Sequence, residues 1–232
     1  ISLGDIEFTA FDLRYLDSTM GMDAQLRLGK FMVNTDNIDL NTLHLSLDEL
    51  ALENTQVSLR EFRPSMNHNE TIPSEIDASA TSNPIIEWNS ISLEDVDLTY
   101  QSIGDSISTA AHIGYFLSKE AKVDLGLKSV DLHSLRLAQS DVQLNMLEPK
   151  ASTDTIPKVA TSIAQPFIWP DWKVAIGEVL LKENVFVYHL GREKPKPQLF
   201  SADHIALSDF GLNFKNIRVQ EQLFAAEIQH LA

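Results

Sequence analysis

The chain has 232 residues, with 18 basic against 33 acidic side chains and a formal net charge of −15. Acidity of this strength argues against a nucleic acid or an anionic membrane surface as partner, because both are bound by clustered lysine and arginine. The absence of cysteine excludes disulfide scaffolds, cysteine-ligated zinc, iron–sulfur clusters and thiol catalysis. A hydrophobic fraction of 44% is that of a chain that folds around a core.

The sequence at the ends of the chain is patterned like a strand from the middle of a protein chain. The first residues, Ile1-Ser2-Leu3, already alternate as a strand does, and no positively charged stretch precedes an apolar one. No run of about 18 apolar residues occurs that could cross a bilayer as a helix. We therefore expect a segment of a longer protein.

The chain repeats itself with a period of about 85 residues. Residues 6–64 align without a gap on residues 91–149, and about a quarter of the positions are identical, several times what unrelated sequences share. A drifted third copy is indicated where the apolar residues of 38–52 fall on those of 205–219 with one constant shift. The opening of this copy fits less well, so we place an insertion or a β-bulge at 182–184.

We predict one continuous elongated domain built from these copies. Polar stretches rich in Ser, Thr, Asn and Pro separate the copies and predict surface loops. The predicted parts are a first β repeat at 1–64, a loop at 65–84, a second β repeat at 85–149, a loop at 150–170 and a truncated third repeat at 171–232.

Within each copy the apolar residues alternate, slip, and alternate again, as where Leu47 is followed by Leu50. Alternation is typical of a strand with one buried face, and a slip would move the apolar set to the other face unless a turn or a bulge restores it. We predict turns or bulges at the slips, which are 48–49, 133–134 and 215–216, and turns at the recurring polar pairs, which are 54–55, 94–95 and 140–141. The pattern predicts an all-β chain of many short antiparallel strands.

Glycines and aromatic residues recur with the same period. Gly29 recurs as Gly114, and each is followed two positions later by phenylalanine. Glycine inside a strand pattern predicts a bulge or a close approach of two backbones. The recurring Tyr15 and Tyr100 are expected to pack at strand ends rather than to contact a ligand.

The sequence offers no constellation of catalytic or metal-binding residues. The seven histidines are scattered without metal-ligand spacing, and no nucleophile elbow, phosphate loop or dinucleotide motif occurs. Carboxylate pairs such as Asp5 and Glu7 are indistinguishable from a solvated strand face. We therefore expect no enzyme, no catalytic residue, no metal and no cofactor. The triplet Asn69-Glu70-Thr71 matches the glycosylation pattern.

A sheet with one apolar face must bury that face against something. If the copies stack into one elongated, curled and open sheet, its concave side becomes a U-shaped groove with an apolar interior. Acyl chains suit such a groove, because each buried methylene contributes about 0.8 kcal/mol. The candidate lining residues are Leu43, Leu45, Leu47, Leu50, Leu52, Leu93, Leu98, Val130, Leu132, Leu135, Leu137, Leu212, Phe214, Ile217 and Val219.

Residues 86–100, with Trp88 near their start and Tyr100 at their end, resemble the "strand, polar turn, strand ending in Tyr" phrase of TamB/AsmA-like proteins. Residues 170–174 and 200–207 are similar to phrases in the long TamB-like proteins of Bacteroidetes. The resemblance covers nearly the whole chain, and it consists of patterns rather than of invariant catalytic residues.

The resemblance implies a periplasmic location in a Gram-negative bacterium, as part of a protein anchored in the inner membrane by an N-terminal helix. Such proteins cross the periplasm as a U-shaped β groove, called a β-taco, and are implicated in moving phospholipid to the outer membrane and in outer-membrane biogenesis. The implied partners are phospholipid acyl chains and a TamA-like outer-membrane barrel, which is contacted through a C-terminal domain that this chain lacks. No nucleic acid is implied.

Other interpretations remain open at this point. Exposed edge strands could capture unfolded outer-membrane proteins by β-augmentation, which would make the chain a scaffold or chaperone module. Each copy could also close into its own compact β-sandwich. A polysaccharide-active parallel β-helix is disfavoured, because its repeat of roughly 20–25 residues is far shorter than the period seen here.

Overall fold

The computed structural model describes residues 4–62, 83–104, 106–147, 171–191, 201–220 and 223–231. The described residues form ten β-strands and contain no helix. The strands are β1 (Gly4–Asp17), β2 (Met22–Asp39), β3 (His44–Glu61), β4 (Ile85–Ser102), β5 (Ile107–Asp124), β6 (Ser129–Ala138), β7 (Asp141–Met146), β8 (Lys173–Leu190), β9 (His204–Gln220) and β10 (Leu223–Leu231).

All ten strands belong to one open sheet, in the order β1-β2-β3-β4-β5-β6-β8-β9-β10, with β7 continuing the position of β6 between β5 and β8. Strands pair antiparallel within three groups, which are β1 to β3, β4 to β7, and β8 to β10. The groups join through parallel pairs, β3 with β4 and both β6 and β7 with β8. In the described part of the chain each strand contacts only its neighbours in the sheet. The prediction of an all-β, elongated and curled open sheet is thus confirmed, although the sheet is mixed rather than wholly antiparallel.

The strands of the first two groups lie at equivalent sequence positions. β2 and β5 begin and end 85 residues apart, as do β3 and the β6–β7 pair. The predicted loops at 65–84 and 150–170, and the triplet beginning at Asn69, lie almost wholly outside the described residues.

The alignment of the third copy was wrong in its register. It equates the turn at residues 40–43 with residues 207–210, which lie inside the uninterrupted strand β9. The alternation of apolar residues is the same in both strand directions. The alignment therefore matched β3 to β9, which runs the opposite way in the sheet. The bulge placed at 182–184 is confirmed, because the β8–β9 register shifts between Leu181 and Asn184.

The strands are fewer and longer than the sequence predicted. Several run for 18 residues, straight through the polar pairs that were expected to form turns. Asn54 and Asp95 do adopt positive φ, 48° and 51°, but their strands continue on both sides. Of these pairs only 140–141 lies at a break between strands, because β6 ends at Ala138 and β7 begins at Asp141. A single residue with positive φ lets a paired strand bend without ending.

The residues that interrupt the pairing form two lines across the sheet, which we call creases. The upper crease consists of Ala10, Gly29, Asn54, Asp95, Gly114, Gln139 and Glu183. The lower crease consists of Asp48, Asn89, Glu120, His133, Gly177 and Asn216. The slips predicted at 48–49, 133–134 and 215–216 coincide with the lower crease, so the prediction of bulges there is confirmed.

Burial shows the direction in which the sheet bends. Thr55 and Val96, which follow the upper crease in β3 and β4, are 0% and 1% exposed, whereas the crease residues Asn54 and Asp95 are exposed. A side chain on a flat single sheet cannot be fully buried, so these two lie in an inner corner. At the lower crease Ala121, which follows Glu120 in β5, is 7% exposed and lies in a corresponding corner, so the strand segments between the creases form a floor. The segments below the lower crease form a short wall, and those above the upper crease form a long wall.

The upper crease satisfies its own polar groups in a recurring way. The Thr55 hydroxyl donates to the carbonyl of Glu53 at 3.0 Å, and one period later the Ser140 hydroxyl donates to the carbonyl of Ala138 at 3.0 Å. Each bond satisfies a carbonyl beside the bend, where the ladder between strands is interrupted.

Glycine is required where two backbones approach at this crease. A Cβ atom at Gly29 would collide with the carbonyl oxygen of Asn54, and one at Gly114 with that of Gln139. The expected close backbone approach at both glycines is thus confirmed.

We predict that Gly114→Ala lowers the free energy of unfolding by about 1–3 kcal/mol, because the backbone of Gln139 must shift to admit the methyl group. Urea denaturation followed by circular dichroism measures the change. Ser108→Ala, in the same strand but away from the crease, should change stability little. Equal stabilities for the two variants would show that the contact at Gly114 is unimportant.

Candidate functional site

The inner face of the floor is apolar at every strand, and Ser118 is the one polar residue in its two rows. Side chains of paired residues stand side by side, and we call each such line a row. One floor row consists of Phe8, Phe31, Leu52, Leu93, Phe116, Leu137, Leu181, Leu212 and Leu231. The other consists of Ile6, Val33, Leu50, Ile91, Ser118, Leu135, Val179, Phe214 and Ile228. Neither row is interrupted at the parallel junctions between groups.

The two walls continue the same apolar face. The short wall contributes a row of Ile38, Leu45, Ile86, Val123, Val130, Val174, Val219 and Phe224, and a row that includes Leu47, Trp88, Leu132, Ile176 and Ile217. The long wall contributes a row of Leu13, Leu26, Val57, Leu98, Ala111, Val142, Phe186 and Leu207, and a row that includes Tyr15, Leu59, Tyr100, Leu144 and Tyr188. We call the space between the walls the groove.

Fourteen of the fifteen predicted lining residues stand in these rows, on the floor or on a wall. The exception, Leu43, lies in the turn before β3 with φ of 53° and is 42% exposed, so its assignment to a strand was wrong. Sequence reasoning missed eleven of the eighteen residues in the two floor rows, among them Phe8, Ile91 and Val179. Each stands beside a predicted residue or a neighbour of one, so the strand pairing would have revealed them.

The spacing of the creases sets the width of the floor. The creases are six positions apart in β3, from Asp48 to Asn54, which makes the floor about 20 Å wide. Two facing layers of side chains fill about 10 Å. Walls standing upright at the floor's edges would leave about 10 Å between their side chains, enough for two hydrocarbon chains in contact. Nine strand positions make the groove about 38 Å long.

Buried polar groups of the inner corners are satisfied within the sheet. Asn184, 2% exposed, donates from Nδ2 to the carbonyl of Leu137 at 3.0 Å and accepts the backbone N–H of Ser140 at 3.1 Å. Its side chain thus bridges the break between β6 and β7. The indole N–H of Trp88 donates to the Ser118 hydroxyl at 2.9 Å, which ties the short wall to the floor. The side chains of Asn184 and Trp88 therefore leave no unsatisfied polar group at the corners for a ligand to bind.

The outer face is polar and carries cross-strand ion pairs. Glu87 lies between Lys122, at 2.7 Å, and His44, at 3.1 Å. The hydrogen bond from Lys122 is the main reason that the pKa of Glu87 is lowered, and the same bond raises the pKa of Lys122.

His133 is an exposed residue of the lower crease. No group of three or more potential metal ligands occurs among the described residues.

A hollow of about 790 Å³ lies along the long wall, lined mostly by polar residues of the outer face and also by Leu13, Leu26, Val57, Leu98 and Ala111 of the wall's apolar row. Arg27 pairs there with Asp12 at 3.7 Å, His112 contacts Asp97 at 2.9 Å, and Arg14 pairs with Asp23 outside the hollow at 3.0 Å. Both arginines of the hollow are thus already paired with carboxylates, which leaves little for an anionic ligand to bind. The groove is the better candidate for a binding site.

Comparisons with known proteins found no relative of this chain. No family model, no curated protein and no solved structure matches the chain. Within the described residues there is also no helix of the length and apolarity needed to cross a membrane.

We predict that Asn184→Ala destabilises the fold by about 1–3 kcal/mol, because it leaves the Leu137 carbonyl and the Ser140 N–H without their partner at a buried corner. Urea denaturation checks this, with Asn145→Ala on the exposed outer face of β7 as the matched control. If both variants were equally stable, the bridge would contribute nothing.

We predict that Glu87→Gln lowers stability at neutral pH by about 1 kcal/mol or less, because it removes a carboxylate that Lys122 and His44 hold in its charged form. The folded-state pKa of Glu87 is lowered, so its contribution is present above the unfolded-state pKa and is lost as pH falls through the folded-state value. The difference between wild type and variant should therefore shrink in acid denaturation series. Glu94→Gln is the control, and a difference that stayed constant with pH would contradict the assignment.

Proposed function

We propose that the chain is a non-enzymatic lipid-transfer segment, whose groove holds the acyl chains of phospholipids and lets them pass along its length. The observation that carries the proposal is the unbroken apolar floor, in which one row contains only phenylalanine and leucine in all nine strand positions. A binding site for one small ligand would need such residues at one place only. A path needs them at every strand.

The exposure of the inner face supports a ligand rather than a closed core. Leu98, at the centre of the long wall, is 40% exposed, and Leu13 in the same row is 51% exposed. Fully burying a leucine side chain stabilises it by about 1.5–3 kcal/mol relative to exposure. Acyl chains that cover these rows would gain such burial, because no described strand packs over them.

The width of the groove favours lipids with two chains. With walls standing upright, the floor of about 20 Å would leave a gap of about 10 Å, which admits two hydrocarbon chains side by side. A polar headgroup would then remain in water at the open side of the groove, because its desolvation without partners costs several kcal/mol. Diacyl phospholipids meet both conditions.

The biological setting belongs to the same proposal and rests on the sequence resemblance. We place the chain in the periplasm, as part of an inner-membrane-anchored TamB-like bridge that supports outer-membrane biogenesis together with an outer-membrane barrel protein. The groove fits this setting, since a path open at both ends can be lengthened by further strands.

The proposal is tested by charging the groove without disturbing the sheet. Leu98→Arg places a guanidinium on the inner face, whereas Thr99→Arg places one on the outer face of the same strand. Both positions are exposed, so both variants should fold. We expect Leu98→Arg to reduce uptake of a fluorescent phospholipid from vesicles about tenfold or more, because an unpaired charge beside acyl chains is unfavourable.

Thr99→Arg should take up lipid as the wild type does. Equal uptake by the two arginine variants, with circular dichroism showing both folded, would overturn the assignment of the groove. Absence of uptake by the wild type would overturn the proposed function itself.

A second candidate function is a scaffold that captures extended segments at a sheet edge. The observation in its favour is that strand β1 has β2 on one side and no described strand on the other. This function predicts binding that survives Leu98→Arg and is lost when proline replaces an edge residue of β1, such as Thr9.

A further inference from the structure

Two histidines face each other across strands β8 and β9, at the end of the long wall that lies farthest from the floor. His189 pairs with His204 in the antiparallel register. Both stand on the outer face, because the alternation along each strand places their neighbours Tyr188 and Ile205 on the inner face. Motif spacing in the sequence could not show this pair, because its two members come from different strands.

The backbone brings these two side chains close together. The N–H of Leu190 donates to the carbonyl of Asp203 at 2.7 Å. The N–H of His204 donates instead to the carbonyl of Ser201, at 3.1 Å. Hydrogen-bonded and non-hydrogen-bonded pairs alternate along an antiparallel ladder, so His189 and His204 form a non-hydrogen-bonded pair. In pairs of this kind the side chains lie closer to each other.

The two imidazole rings meet through the same kind of nitrogen. The Nδ1 atoms of His189 and His204 are 2.7 Å apart, and one donates a hydrogen bond to the other. The ring centroids are 4.3 Å apart and the planes differ by 34°. Because the nitrogens are closer together than the ring centres, the directions of their lone pairs converge. Two converging imidazole nitrogens are a pair of donors that transition metals prefer.

The separation of the two nitrogens indicates the metal. With bonds of about 2.0–2.1 Å, two nitrogens that subtend a right angle at the metal are about 2.9 Å apart, and in a tetrahedron they are about 3.4 Å apart. The observed 2.7 Å is nearer to the right angle. Square-planar and tetragonal sites are typical of Cu²⁺, which also has the highest affinity among the first-row divalent ions.

The surroundings of the pair suit a cation. Both histidines are half-buried, so water can reach the metal and complete its coordination. The described residues that flank the pair on the outer face are Asn145, Val187 and Ala206, and none of these three carries a positive charge.

We propose that His189 and His204 bind a Cu²⁺ ion through their Nδ1 atoms, with water at the remaining positions. The ion takes the place of the hydrogen that the two nitrogens share. That hydrogen is exchanged with water, and each neutral ring then carries its one N–H at Nε2. The site lies on the outer face of the sheet, so the proposal does not depend on lipid binding in the groove.

Asparagine is the informative replacement at both positions. Its amide group reaches the position of Nδ1 and can keep a hydrogen bond between the strands, but it lacks the imidazole lone pair that Cu²⁺ prefers. Isothermal titration calorimetry with Cu²⁺ alone should show one ion bound per wild-type chain. We expect His189→Asn and His204→Asn to bind it at least about tenfold more weakly, because the second imidazole of the pair binds intramolecularly.

The matched control is His133→Asn, which removes a lone exposed histidine and should leave the affinity for Cu²⁺ unchanged. Cu²⁺ should also raise the urea midpoint of the wild type but of neither pair variant, because the pair exists only in the folded register. Electron paramagnetic resonance of the wild type with one equivalent of Cu²⁺ should show coupling to two imidazole nitrogens, a measurement that needs no variant.

Three results would each overturn the proposal. The first is equal Cu²⁺ affinity of the wild type and both pair variants, with circular dichroism showing all three folded. The second is weakening by His133→Asn as large as that by His204→Asn, and the third is a spectrum with fewer than two imidazole nitrogens. Phospholipid uptake that is the same in His204→Asn and in the wild type would leave the proposed function standing in each case.

Discussion

The structure depends on one constraint, which is that a strand in a sheet can bend only where its neighbours bend too. Hydrogen bonds join every strand to the next, so a kink in one strand alone would break the ladders on both sides. Here the kinks line up. In β1, β3, β4 and β8 of the upper crease the bending residue has positive φ, and the neighbouring strands β2 and β5 carry glycine at the same row. The single-layer sheet thereby acquires a floor and two walls while its ladders continue.

This constraint explains why the sequence repeats without gaps inside the strands. The distance between the two creases is six positions in β3, β4, β5, the β6–β7 pair and β8, whereas in β9 the two residues with positive φ, Asp209 and Asn216, are seven positions apart. The pairs are Asp48 and Asn54, Asn89 and Asp95, Gly114 and Glu120, His133 and Gln139, and Gly177 and Glu183. An insertion between the creases of one strand would put its bend out of line with the bends beside it. Segments between the groups are free of this requirement, and the spacing of the third group differs accordingly.

Much of the cross-section could be predicted from the sequence, and little of the connectivity. The slip after Leu47 marks the lower crease, because the apolar side chains must return to one face after the bend. The upper crease was mistaken for turns, because Asn54 and Asp95 are residues that turns also favour. The parallel junctions were missed for a different reason. Alternation of apolar residues is the same in both strand directions, so only the pairing itself distinguishes β3–β4 from an antiparallel pair.

The same ambiguity limits what alternation says about function. A leucine such as Leu52 alternates identically whether it faces a second sheet or a lipid, and the sequence therefore allowed a sandwich as well as a groove. In the described part of the chain the distinction is made by topology, since each strand contacts only its neighbours and the inner face meets no other layer. Burial adds the second half of the argument. The residues closest to zero exposure are small or polar corner residues such as Thr55, whereas Leu98 remains accessible.

Width and length of the groove are set by independent features. The spacing of the two creases along each strand fixes the width, and it involves only residues within one strand. The number of strands fixes the length, because each strand position adds about 4.8 Å. Adding another group of three strands would therefore lengthen the groove without changing its cross-section. A path of constant width for hydrocarbon chains needs that combination, and a compact core does not.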